Sequence, residues 1–191
     1  MRMKLDKVIV LDIEATCWEP KPTIKSKELE SEIIEIGLCT VDLTDNQSEL
    51  FGRGQMKSIL VKPKYSKVSK FCTELTTLTQ EQVDSGVSLY EACQILEKEY
   101  DSRNYTWVSY GDYDRNTFQD ECRSKGVSYP FGPRHLNIKN LFALMYRLDK
   151  EVGMPTALEK LGLPLDGTHH RGVDDAMNIA KIVSKVLSKR K

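Results

Sequence analysis

The sequence lacks several features that would point to particular classes of protein. Its five cysteines form no CxxC pair and no cluster with histidine, which argues against structural zinc and a disulfide framework. Lysine plus arginine and aspartate plus glutamate number 28 each, so net charge indicates no preference for nucleic acid, membranes or acidic substrates. No run of about 18 apolar residues could span a bilayer, and acids flank the first apolar run, unlike in a signal peptide. We therefore expect a cytoplasmic protein with no membrane partner.

What the chain does have is a regular mixture of strand and helix patterns along its 191 residues. Strands are predicted over 7–15, 32–42, 56–63 and 105–111. Helices are predicted over 79–86, 88–100, 114–126, 137–148, 156–163 and 173–190. The length and this pattern predict one α/β domain over residues 1–191, with helices packed around a central sheet.

Two carboxylates interrupt the most apolar early segment, VIVLDIEATCW at 8–18. Because strand side chains alternate between faces, Asp12 and Glu14 point the same way as Val8 and Val10. One interpretation is a strand end that emerges into solvent with two ordinary surface acids. The other is a site for a hard cation such as Mg²⁺ or Mn²⁺, which would relieve the repulsion between two buried like charges.

A second pair of acids, Asp174 and Asp175, opens the last predicted helix. Asp175 lies one turn before the apolar stripe that begins at Ile179, so it is predicted to face the core. Asp174 lies instead on the face of Asn178 and Lys181, which is predicted to be solvated. Asp175 is then either a helix cap or a metal ligand.

Histidine is scarce, yet two of the three histidines are adjacent in the glycine-containing loop before this helix. Such a loop histidine is mobile enough to act as a general base, although a lone histidine is more often structural. His170 stands in a His-x₄-Asp relation to Asp175. His169 has the same relation to Asp174, the acid predicted to face away.

Three short motifs in chain order resemble those of the DEDDh group of 3′→5′ exonucleases, in the ribonuclease-H-like superfamily: Asp12-x-Glu14, Tyr113-Asp114 and His170-x₄-Asp175. Segments between them, such as EIIEIG, FCTELTTLTQEQVD and LEKLGL, resemble its enhanced-RNAi and histone-mRNA 3′-exonuclease branch. The resemblance covers about 7–187 and selects Asp114 over Asp112. It implies a ribonuclease-H-like α/β fold with a five-stranded mixed sheet flanked by helices. Two positions depart from the family pattern: Thr77 stands where glycine is usual, and Tyr113 replaces tryptophan.

The resemblance implies a metal-dependent 3′→5′ exonuclease that releases nucleoside 5′-monophosphates from RNA 3′ ends. His170 would be the general base. The four acids Asp12, Glu14, Asp114 and Asp175 would hold two Mg²⁺ ions. Mn²⁺ would also support activity. The terminal nucleotide would contact Ala15, Phe71, Leu75 and Tyr113. For Phe71 and Leu75 the alternative is ordinary core packing.

Other functions are compatible with parts of this pattern. The same chemistry could act on DNA, or the fold could serve an inactive nucleic-acid-binding protein, although all five motif residues are present. A metal-buffering or phosphoprotein-interaction module would explain the carboxylates but not the His-x₄-Asp spacing. The oligomeric state is open, and a monomer is compatible with the sequence.

Overall fold

A computed structural model describes residues 4–24, 26–44 and 53–188. Its central sheet has five strands in the order β3-β2-β1-β4-β5. The strands are β1 (Lys7–Ala15), β2 (Ile33–Asp42), β3 (Arg53–Leu60), β4 (Thr106–Ser109) and β5 (His135–Asn137). The first three pair antiparallel, whereas β4 pairs parallel with both β1 and β5. The sheet is therefore mixed, and the predicted α/β fold class is confirmed.

Helices cover both faces of this sheet. They are α1 (Lys70–Thr76), α2 (Gln80–Asp84), α3 (Leu89–Tyr100), α4 (Tyr113–Lys125), α5 (Ile138–Met145), α6 (Met154–Lys160) and α7 (Gly172–Ser188). Helices α3 and α4 pack on one face, and α5, α6 and α7 pack on the other. Among the described residues, no helix has both the length and the apolar character that a bilayer span requires.

Strand β1 divides its side chains between these two layers. Ile9, Leu11 and Ile13 pack against α3 and α4, whereas Val8 and Val10 pack against the helices of the opposite face. By the same alternation, Asp12 and Glu14 point toward the face that carries α7. The apolar start of β1 thus anchors the strand, and its end presents two acids to one helix.

Most predicted elements are present, with bounds that shift by a few residues. The predicted first strand and the structural β1 coincide, and α3 begins with the capping box between Ser88 and Glu91. Strand β3 begins at Arg53 rather than at residue 56 and ends before Val61. Helix α1 and strand β5 are absent from the predicted set of elements, because each is too short to show a hydrophobic period.

A buried ion network fixes α4 against the sheet, and Glu32 is its centre. The Glu32 carboxylate accepts backbone N–H bonds from three consecutive residues, 64–66, at 2.6–2.9 Å, and Lys125 Nζ lies 2.5 Å from its Oε1. Lys125 also pairs with Glu121 at 2.6 Å, and Glu121 accepts the backbone N–H of Ile33. Although burial opposes it, the bonds from Lys125 and the three amides lower the pKa of Glu32 to about 2.

We expect Glu32→Gln to destabilise the protein by about 3 kcal/mol at pH 7, because it leaves Lys125 buried with one partner fewer. A carboxyl whose folded-state pKa lies near 2, against its usual 4.5, contributes stability above pH 4.5 that is lost as the pH falls toward 2. The difference between wild type and variant should therefore shrink below about pH 5. Urea unfolding between pH 7 and pH 3.5 measures it.

The matched control is Glu30→Gln, which neutralises an exposed acid two residues earlier. This control should leave stability unchanged at every pH. A gap between wild type and Glu32→Gln that stays constant from pH 7 to pH 3.5 would contradict the role given to the Glu32 carboxylate.

Candidate active site

Acidic side chains from three separate elements meet at the end of β1. Ligand oxygens of Asp12, Glu14 and Asp175 all lie within 4.8 Å of one another. Asp114 is buried in the first turn of α4, and its Oδ1 accepts the backbone N–H of Ile13 at 3.0 Å. The β1–β4 ladder has ended by this point, so the carboxylate of Asp114 takes the place of a strand partner. The structure thus brings together the four acids named from the sequence.

The electrostatics of this cluster are unfavourable for the protein alone. Burial, followed by repulsion from Asp114 and Glu14, raises the pKa of Asp12 well above its usual value. Burial, followed by repulsion from Asp175, raises the pKa of Glu14 to about 9. Burial also raises the pKa of Asp114 to about 6, although the Ile13 N–H bond opposes this. These raised pKa values mean that the ionised carboxylates lack a nearby positive charge that would stabilise them.

The donor set fits a divalent cation. Carboxylate oxygens are the ligands that Mg²⁺ and Mn²⁺ prefer, and a bound cation would stabilise the ionised form of every acid in the cluster. His169 and His170 form a second possible ligand group with Asp175. The carboxylate group is the more deeply buried of the two.

A close approach between two glycines seats α7 on the sheet. A Cβ atom at Gly37 would lie 1.8 Å from the carbonyl carbon of Gly172, so any side chain on β2 at this point would displace the helix. A Cβ atom added at Gly172 would in turn lie 3.2 Å from the backbone oxygen of Asp12. This contact explains why Asp175, one turn into α7, reaches the acids of β1.

Both histidines of the loop before α7 lie beside Asp175. The His169 ring contacts Asp175 Oδ2 through Nδ1 at 2.9 Å, whereas His170 donates its backbone N–H to the same oxygen at 3.0 Å. The two rings stack with centroids 3.9 Å apart. Burial, and then the neighbouring His169 ring, lower the pKa of His170 from 6.5. The contact of His169 with Asp175 was not predicted from the sequence.

The two acids that sequence analysis did not assign to the site, Asp174 and Asp112, lie outside the carboxylate cluster. Asp174 accepts the backbone N–H of Thr168 and does not join the cluster, but the face it shares with Asn178 and Lys181 is buried. The prediction that this face is solvated is therefore wrong: Lys181 Nζ donates to the backbone oxygen of Pro164 because the 164–168 loop covers it. Asp112 lies outside the cluster and bonds to Asn137 and Arg115.

A cleft of about 410 Å³ opens above the acids. Ala15, Leu75 and Tyr113, three of the four predicted nucleotide contacts, line it. Phe71, one turn earlier on α1, is half-buried and does not line the cleft formed by the described residues. Sequence reasoning missed four further residues that line the cleft, Tyr110, Gly153, Met154 and Pro155. Gly153, Met154 and Pro155 lie at the start of α6, before the predicted helix at 156–163, and a hydrophobic period does not reveal which residues line a cleft.

Comparison with known proteins yields consistent similarities. A family profile described as Exonuclease (RNase_T) matches residues 9–183. The chain is 31% identical over 192 residues to 3′-5′ exoribonuclease 1 of Rattus norvegicus, covering 95% of this chain and 53% of that protein. It is 27% identical over 190 residues to the probable 3′-5′ exonuclease KapD of Bacillus subtilis (strain 168), covering 96% and 86%. The chain thus spans about half the length of the rat protein and most of KapD.

A solved structure agrees with these sequence matches. The nuclease domain of 3′hExo, a DEDDh family member bound to rAMP, superposes with a TM-score of 0.85 at 26% identity. The match covers 100% of this chain and 96% of that domain.

We expect Asp12→Asn to stabilise the metal-free protein, because an amide of the same shape avoids the cost of burying an ionisable carboxyl group among other acids, the cost that raises the pKa of Asp12. In EDTA the variant should melt about 3–6 °C above wild type. Saturating Mn²⁺ should reverse this order, since wild type gains binding free energy that the variant largely loses. Thermal unfolding followed by circular dichroism measures both.

Glu159→Gln is the control, because Glu159 is an exposed acid on α6 that lies outside the cluster. Its melting temperature should follow wild type with and without Mn²⁺. Equal Mn²⁺ stabilisation of wild type and Asp12→Asn would contradict a metal site at Asp12.

Proposed function

Since the chain belongs to the exonuclease (RNase_T) family, we propose that it is a metal-dependent 3′→5′ exonuclease that shortens RNA from its 3′ end. The observation that carries this proposal is the convergence of Asp12, Glu14 and Asp175 in one cleft beside His170. The products would be nucleoside 5′-monophosphates. Residues 1–191 would act as one catalytic domain, an inference supported by a single described sheet that the matched range covers except for the first two residues of β1.

The four carboxylates would hold two divalent cations, Mg²⁺ or Mn²⁺. Asp12 is the central ligand in this proposal, because its neighbours in the cluster include all three other acids. When bound, the cations would activate water and stabilise the charge that develops on the phosphate and on the leaving oxygen. The protein contributes a rigid set of oxygens, with Asp114 held in place by the backbone of Ile13.

His170 would accept the proton of the attacking water. Its ring lines the cleft, and its backbone N–H is bonded to Asp175, which places the imidazole at the edge of the acidic cluster. His169 directs Nδ1 at Asp175 and is thereby assigned to orienting that carboxylate. The stacked rings restrict each other, so the His170 ring is held toward the cleft.

The terminal nucleotide would lie against the wall of the cleft formed by Ala15, Leu75 and Tyr113. Tyr113 is 61% exposed although it lines the cleft, so a flat aromatic face is available for stacking on any base. Phe71 would support this wall from the half-buried side of α1. Stacking of this kind does not select a sugar, and action on DNA is therefore the second candidate function. An inactive nucleic-acid-binding protein is less compatible with the full set of acids and histidine.

The RNA substrate is supported by the exoribonuclease and the rAMP complex among the similar proteins. It is tested with 5′-labelled single-stranded RNA and DNA of one sequence, each with Mg²⁺, with Mn²⁺ and with EDTA. We expect a ladder that shortens from the 3′ end on RNA, no cleavage in EDTA, and slower cleavage of DNA. Absence of metal-dependent nucleotide release from either substrate would overturn the proposal, and a ladder on DNA alone would establish the second candidate.

Two matched variants separate the histidines in the same assay. His170→Ala removes the proposed base while keeping every carboxylate, and we expect a rate loss of about 10²–10⁴-fold. His169→Ala should lose much less, because it removes an orienting contact only. Full activity of His170→Ala would contradict its assignment as the base.

A further inference from the structure

Glu35 is a buried acid beside the cluster that the proposed chemistry does not use. It lies directly opposite Glu14 in the antiparallel β1–β2 register and has no solvent exposure. Its Oε2 accepts from the backbone N–H of Gly172 at 3.0 Å and from Arg171 Nε at 3.2 Å. Its Oε1 accepts from Ser58 Oγ at 2.5 Å. Both carboxylate oxygens are thus engaged, Oε1 by Ser58 of β3 and Oε2 by the segment that carries the histidines.

Arg171 is the partner that compensates this buried charge. A carboxylate without solvent is costly unless it is paired and hydrogen-bonded, and the planar guanidinium can donate to it through two nitrogens. Arg171 does so with Nε and with Nη2, which lies 3.5 Å from Oε1. Its backbone oxygen also accepts the N–H of Asp175 at 2.8 Å. One residue therefore links β2 to the first turn of α7.

The segment held in this way contains a strained residue. His170 has φ +66°, in the left-handed region that non-glycine residues rarely occupy. Such a conformation persists only where the surroundings enforce it. Arg171 and Gly172, which follow directly, are both bound by Glu35, so this pairing enforces the backbone that aims the His170 ring.

The third nitrogen of the guanidinium reaches the C-terminal end of α1. Arg171 Nη1 donates to Thr77 Oγ1 at 3.4 Å. Thr77 ends α1 with φ +64°, an unfavourable conformation for a β-branched residue, at the position where glycine is usual in the pattern that the sequence resembles. Helix α1 also carries Leu75 of the cleft wall. The Thr77 hydroxyl therefore connects the nucleotide wall to the histidine segment through Arg171.

Resting on the proposed function, we propose that Arg171 is a positioning residue that, clamped by Glu35, holds His170 and Asp175 in register with the acids of β1 and with the α1 wall. A direct role in binding RNA phosphate is the competing interpretation. The contacts disfavour it, because three of the five N–H donors are already engaged by Glu35 and Thr77 and the Arg171 side chain is only 25% exposed.

The test is a double-variant cycle of Arg171→Gln and Glu35→Gln, with kcat measured on RNA and the RNA dissociation constant measured in EDTA. Arg171→Gln should lower kcat by about 10–100-fold, since small misplacement of a catalytic group costs this much, and should leave RNA affinity unchanged. The double variant should be no worse than the worse single variant, because both act through one contact. Arg171→Lys should recover part of kcat. Arg123→Gln, at an exposed arginine on α4, is the matched control and should behave as wild type.

Amide hydrogen exchange provides a readout that does not depend on activity. In Arg171→Gln the N–H groups of Gly172 and Asp175 should exchange faster than in wild type, and by a larger factor than the amides of the central strands, whose exchange reports the global stability lost when Glu35 is left without its partner. Weakened RNA affinity at unchanged kcat, multiplicative losses in the double variant, or unchanged exchange at these two amides would each overturn the positioning role. Inactive wild-type protein would overturn the proposed function instead, and the exchange experiment would still decide whether Arg171 holds the segment. If Glu35→Gln fails to fold, the Gln and Lys variants of Arg171 carry the test.

Discussion

Repulsion among buried carboxylates is the constraint on which the rest of this structure depends. Asp12, Glu14, Asp114 and Asp175 would separate if the backbone allowed it, and burial, together with their mutual repulsion, raises the pKa values of the first three. The backbone does not allow it, because β1 lies in the middle of the sheet with both faces covered by helices. The fold thus holds the four acids in an electrostatically unfavourable arrangement, which a bound divalent cation would stabilise.

Each wall of the site is held by contacts that lie outside the cluster. The Glu32 network fixes α4, the Gly37–Gly172 approach seats α7, and Glu35 with Arg171 fixes the segment between the histidines and α7. These contacts are buried and polar or very close, so they define one geometry where apolar packing alone would tolerate several. Preorganisation of this kind is what hydrolysis of a phosphodiester requires from a protein.

Local patterns predicted the elements with strong periodicity and the acids that follow them. Strand β1 was predicted from a run rich in valine and isoleucine, and the choice of Asp175 over Asp174 came from helical spacing. The reason given for Asp174 was nevertheless wrong, since covering of Asn178 and Lys181 by the 164–168 loop is a long-range event without a local signal. The contacts of Arg171 with Glu35 join residues 136 apart in sequence and were invisible for the same reason. The choice of Asp114 over Asp112 needed a family resemblance, because both follow the same strand.

The most direct measurement of the central claim is anomalous scattering from crystals of the protein grown or soaked with Mn²⁺. The account predicts a strong manganese peak within coordination distance of Asp12 and shared with Glu14 and Asp175, with a second peak on the side of Asp114. Manganese only at surface acids, or no peak at the end of β1, would show that the buried carboxylates serve some purpose other than holding a metal.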